Sequence, residues 1–94
     1  MLVIAHHNIS DPKEFWGAAK ELTKNLPASL KLHSILPSKD QKTATCIWES
    51  NSVQEVQNFL DKSAGKSAKN FCYQLNEQEA MGLPQFKQSM AHTN

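Results

Sequence analysis

Apolar and polar positions change rhythm along the chain in a way that marks six elements. Residues 2–9, Leu-Val-Ile-Ala-His-His-Asn-Ile, begin as an unbroken apolar run and then turn mixed, the pattern of a strand covered on both faces at its start. Asp11-Pro12-Lys13-Glu14 follows, where an Asp N-cap, Pro at the first helical position and Glu at the third together start a helix. Phe15, Ala18, Ala19, Leu22 and Leu26 then recur at the 3.6-residue period. Pro27 predicts the end of that helix by Asn25 or Leu26, because it biases the residue before it away from helical angles. Residues 30–36 predict a second strand stopped by Pro37, 38–41 are polar turn material, and 43–49 predict a third strand, so this pair forms a hairpin. Ser52-Val53-Gln54-Glu55 repeats the capping-box pattern, with Val53, Val56, Phe59 and Leu60 as the inner stripe of a second helix that Gly65 closes. Residues 71–75 are the last predicted strand, and 76–84 read as irregular.

The order β-α-β-β-α-β is the split βαβ arrangement of the ferredoxin-like α+β fold. It predicts an antiparallel sheet in strand order 4-1-3-2 with both helices on one face. The domain is expected to span 1–84, with 85–94 a polar tail anchored only by Phe86 and Met90. The uncovered face should then alternate to polar residues if it meets water. In the first strand the alternate sets are Leu2, Ile4, His6, Asn8 and Val3, Ala5, His7, Ile9; in the third they are Ala44, Cys46, Trp48 and Thr43, Thr45, Ile47, Glu49. Both sets carry apolar residues, and a half-exposed apolar sheet is an association surface.

Composition sharpens this expectation. The chain has 94 residues, of which 39% are hydrophobic, against a usual ~45–50% for a globular domain when Gly is counted as well. A chain this short and lean draws extra burial from a metal, disulfides or a partner. The net charge is +1, all ten cations are Lys and none is Arg, so the bidentate fork that reads phosphate and guanine edges is missing. Nucleic acid is therefore not an expected partner. No apolar run reaches the ~20 residues of a membrane span, and residues 2–5 are too short for a signal peptide, which predicts a cytoplasmic protein without a membrane partner.

Asp11-Pro12 with Phe15-Trp16, Leu32-His33 with Leu36-Pro37, Cys46-Ile47-Trp48-Glu49, and Ala80-Met81-Gly82-Leu83-Pro84 together resemble small uncharacterised bacterial proteins of the dimeric α+β barrel superfamily. The resemblance spans residues 2 to about 84. It implies two ferredoxin-like subunits packed sheet against sheet around a small pocket, hence a homodimer. More distantly the chain is similar to antibiotic-biosynthesis-type monooxygenases and their haem-degrading relatives. Haem-degrading members carry an Asn on the first strand, a Trp in the pocket and an iron-binding His on a later helix. Asn8 and Trp48 match the first two, but 52–65 hold no His, so the haem reading lacks its ligand.

The residues offer a few groups with chemistry of their own. Cys46 and Cys72 fall on strands separated by the first, roughly 9–10 Å apart at two strand spacings and beyond the ~7 Å reach of a disulfide. They read as reduced, buried small hydrophobes. His6 and His7 point to opposite faces, so at most one shares a site with His33, and His6 and His33 start roughly 10 Å apart across the third strand. A metal would need Glu49 or a second subunit to complete it, and no metal or cofactor is expected. The histidines read instead as hydrogen-bonded groups in a partly polar pocket. Trp48 and Tyr73 serve core or dimer packing, or present rings to a small ligand beside His6. Glu49 is a base if buried and a solvated carboxylate if the strand end is open.

The expected function is binding of a small organic molecule, between sheet and helices or at the sheet interface, by residues among His6, Asn8, His33, Trp48, Glu49 and Tyr73. The alternatives are a cofactor-independent monooxygenase or isomerase acting on a small aromatic or carbonyl compound, and a structural or regulatory dimer without ligand. No Gly-rich phosphate loop, CxxC, HExxH or nucleophile elbow supports other reaction classes.

Overall fold

A computed structural model of the chain describes residues 1–83. Pro84 and the predicted tail with Phe86 and Met90 lie outside the described residues. The elements are β1 (Leu2–Ile9), α1 (Pro12–Leu22), β2 (Lys31–Pro37), β3 (Thr43–Glu49), α2 (Val53–Ala64), a 3-10 turn (Gly65–Ser67) and β4 (Ala68–Gln74). The four strands form one antiparallel sheet in the order β2-β3-β1-β4, which is the predicted 4-1-3-2 read from the other edge. The fold is α+β with the predicted β-α-β-β-α-β order.

Both helices begin where the capping residues place them. Asp11 accepts a hydrogen bond from the Glu14 amide at 3.1 Å, and Ser52 accepts one from the Glu55 amide at 3.0 Å, so each satisfies an orphan donor of the first turn. Gly65 ends α2 at φ +57°, a conformation that side chains with a Cβ rarely adopt. Helix α1 stops at Leu22, three to four residues before the predicted end. Beyond it the Lys24 and Asn25 amides bond to Glu21 and Leu22 carbonyls, and Thr23 Oγ1 donates to the Lys20 carbonyl, so the helix tightens and unwinds ahead of Pro27.

The strands differ from expectation in two places. β4 starts at Ala68, not Phe71: the β-poor stretch Ala68-Lys69-Asn70 is recruited by pairing with Ile9, Asn8 and His7 of β1, a tertiary ladder overriding weak local propensity. β2 runs on through Pro37, whose missing N–H costs little on an edge strand, and it is bulged between Leu32 and Ser34. In the β2–β3 turn Gln41 takes φ +63°, and the Trp16 indole donates to its carbonyl at 3.2 Å, tying α1 to the hairpin.

The register sorts side chains as the alternation predicts. Val3, Ala5, His7 and Ile9 share the helix-covered face with Ala44, Cys46, Trp48, Cys72 and Ala68. Under α2 the core is Val3, Ala5, Leu30, Cys46, Trp48, Val56, Leu60 and Cys72; under the start of α1 it is Ile9, Phe15, Ala44 and Ala68. Among the described residues no helix is long and apolar enough to cross a membrane.

Candidate functional site

The six residues singled out from the sequence divide between the two faces of the sheet. His6, Asn8, Glu49 and Tyr73 lie on the face away from the helices, in the set with Leu2, Ile4, Thr45 and Ile47. His33 joins them because the bulge in β2 lets it and Ser34 share that face, and its Nε2 donates to Oε1 of Glu49 at 2.8 Å. Both side chains are almost fully buried, at 4% and 2% exposure, so Glu49 is not the solvated strand-end carboxylate. His6 is hydrogen-bonded to Thr45, its cross-strand partner, at 3.2 Å, away from the His33–Glu49 pair. Among the described residues no group of three or more His, Cys, Asp or Glu comes together as a metal site.

This face has a buried patch on the central strands and exposed edges. Leu2, Ile4 and Ile47 form a small buried cluster flanked by Leu75. On the edge strands Phe71 and Tyr73 of β4 and Leu36 of β2 stand 65%, 45% and 52% exposed, Tyr73 beside Ile4 and Phe71 beside His6, with the Phe71 and Tyr73 rings 6.0 Å apart. Asn8 is also exposed and His6 half-buried.

Trp48 is the exception. Its register with Val3 and Leu32 turns it toward the helices, so it cannot share a site with His6, Tyr73 or Glu49. There it forms the floor of a partly open cleft beneath α1, a void of about 30 Å³, room for roughly two waters as it stands. Leu32, Ile35 and Cys46 complete the floor; Phe15, Trp16, Ala18, Ala19 and Leu22 form the roof; Leu60, Ser63 and Ala64 close the α2 side. The space follows from residue size: Ala18 and Ala19 on α1, Ala64 on α2 and Cys46 on β3 are small where facing helices usually carry Leu or Ile. Trp48 is 1% exposed and packs edge-on against Phe59, and its Nε1–H has no hydrogen-bond partner. A buried donor left unpaired costs about 1–3 kcal/mol.

The histidine of this cleft stands outside the six. His7, 1% exposed, lines it from β1, and its ring lies 5.2 Å from that of Phe15. Nδ1 of His7 donates to Oδ1 of Asn70 at 2.6 Å, and Nδ2 of Asn70 donates to Oδ1 of Asp61 on α2 at 3.0 Å. Gln57 Nε2 holds the same carboxylate at 3.1 and 3.2 Å and accepts the Cys72 amide on its Oε1. Burial, opposed in part by the bond to Asn70, keeps the His7 imidazole below its ordinary pKa. The strand alternation carries a trace of this site, since it places one histidine among the apolar residues facing the helices. Burial also pushes the thiols up, Cys46 to about 12 with Cys72 adding to it, and Cys72 to about 11. Both cysteines are free, in one row on either side of Ala5. At neutral pH they are thiols, poor nucleophiles that act as packing groups.

Over residues 3–83 the chain matches the model of a family described as a domain of unknown function, DUF8652. The chain belongs to this family. No curated protein and no solved structure matches it. The matched span runs from the second residue of β1 past β4, so the cleft and the uncovered face both fall inside the DUF8652 domain.

Proposed function

We propose that this DUF8652 chain binds a small apolar organic molecule in the cleft beneath α1. The observation that carries the reading is the buried indole N–H of Trp48, unpaired in the floor of a partly open cleft walled by apolar and small side chains. Ligand sites combine apolar walls with a few placed polar groups, and an orphaned donor is such a group waiting for an acceptor. As it stands the void is too small for an organic molecule, so binding needs α1 to ride outward. Phe15 is the one buried residue of α1, which makes α1 the movable wall. The test is titration of the ¹⁵N-labelled chain with toluene: the Trp48 indole resonance should shift saturably, and Ala19→Leu, which fills the roof, should abolish the shift. An unmoved Trp48 signal at saturating toluene would sink the reading.

A second reading is favoured by the uncovered face. Phe71 and Tyr73 expose an apolar pair on β4 beside His6 and Ile4, Leu36 is exposed on the opposite edge strand, and a second copy pairing sheet to sheet would cover them, as the resemblance to dimeric α+β barrels implies. His6, Asn8 and Tyr73 would then line the space between the sheets. Light scattering on gel-filtered protein should give twice the mass of one chain, and Phe71→Lys should return it to one; a monomeric unmodified protein would end this reading.

A further inference from the structure

The cleft carries information about what occupies it, and it comes from His7. The Asp61 carboxylate can only accept, so Asn70 must turn its amide nitrogen toward it and its carbonyl oxygen toward the imidazole. That oxygen in turn can only accept, so the proton of the neutral ring sits on Nδ1. Asp61 is itself held by Gln57 Nε2, which also donates to the Asn70 carbonyl, while Gln57 Oε1 accepts the Cys72 amide of β4. The relay therefore sets the tautomer from outside the cleft. Nδ1 is engaged toward β4, whereas the cleft floor lies on β3 and β2, so Nε2 is the nitrogen left for the cleft, as a bare acceptor. Among the described residues no hydrogen bond reaches it.

Resting on the cleft as the binding site, we propose that its occupant is a neutral, flat apolar molecule bearing a hydroxyl donor, phenolic or enolic, received by Nε2 of His7. Asn70 and Asp61 are positioning residues: they touch no ligand but decide that His7 accepts instead of donating. A carboxylate ligand is disfavoured at this end, because it would meet a lone pair where it needs a proton. An aliphatic hydrocarbon would leave that lone pair dry. No proton need leave the ligand, and none is transferred in this proposal.

The experiment compares three probes of one shape on the full chain by amide and indole shift titration: toluene with neither group, 4-methylanisole with an acceptor only, and p-cresol with a donor as well. 4-Methylanisole, whose oxygen meets the Trp48 N–H, should bind more tightly than toluene, and p-cresol about tenfold more tightly than 4-methylanisole, the size of one net hydrogen bond to a buried group. In His7→Phe that advantage should fall to near one while toluene still binds. Equal binding of all three would leave the cleft reading intact and overturn the donor assignment; an equal gain for 4-methylanisole would assign the contact to Trp48 and overturn it too. Failure of every probe would overturn both. Should His7→Phe not fold, the imidazole ¹⁵N signals of the unmodified chain decide: a protonated Nδ1 and bare Nε2 at neutral pH are expected, and the opposite tautomer or a doubly protonated ring would refute the relay.

Discussion

The two helices begin alike and end up with different jobs. Each has a side-chain N-cap, an acidic residue in its first turn and a lysine in its last, and they differ by a single residue in length. Yet α2 buries Val56 and Leu60 in the core under it, with Val53 and Phe59 packed alongside, while α1 buries Phe15 alone. The difference lies on the inner face. Where α2 presents branched and aromatic side chains, α1 presents Ala18 and Ala19, and the sheet beneath it is left with a cleft. Helix α2 is thus a structural element, and α1 a wall attached at few points: Phe15, Trp16 through Gln41, and Leu22 against the core under α2. Like starts with unlike faces teach that capping decides where a helix begins, and the inner stripe decides how firmly it is held.

That contrast can be broken at its anchors. Phe15→Ala should cost about 3–5 kcal/mol and Leu60→Ala about 2–5 kcal/mol in denaturant unfolding. The totals overlap, so hydrogen exchange distinguishes them. Without Phe15 the amides of α1 should exchange through local opening while α2 stays protected; without Leu60, Val56 still holds α2, and protection should fall across the whole domain together. Equal local opening of both helices would show that α1 is no looser than α2.

A smaller effect concerns the ring between them. His7 touches Phe15 of α1 on one side and is tied through Asn70 to Asp61 of α2 on the other. Its pKa is lowered from 6.5 by burial, so below that pH the unfolded chain takes up a proton that the folded ring refuses. The stability is present above the unfolded value and is lost as pH falls through the folded one. Urea midpoints should therefore drop between neutral pH and about pH 5, and the slope should flatten in His7→Gln, which keeps a donor for Asn70 without titrating in this range. An unchanged slope would place the acid sensitivity elsewhere.

How far the sequence spoke depends on the kind of information. Helix starts were legible because Asp11-Pro12 and Ser52 with Glu55 satisfy local backbone donors whatever surrounds them. The face of each β1 and β3 residue was legible because the pleat alternates with period two. The start of β4 was not, since Ala68 to Asn70 have no strand preference of their own and are held by β1. Nor was the burial of Glu49: His33 reaches it only because a bulge lets both His33 and Ser34 face the same side. Trp48 lies across the sheet from His6 and Tyr73, and nothing local in the sequence announces Asn70 and Asp61 as the partners of His7.

The sequence by itself determined the order of elements, the caps that begin the helices and the two sets of side chains in each central strand, because these rest on interactions between residues a few positions apart. Only the tertiary structure decided which histidine meets which carboxylate or amide, that α1 stands over small residues, and that His7 and Trp48 line one cleft. Those depend on register and on helix placement, which are settled by contacts dozens of residues apart in the chain, such as His7 with Asn70 and His6 with Thr45.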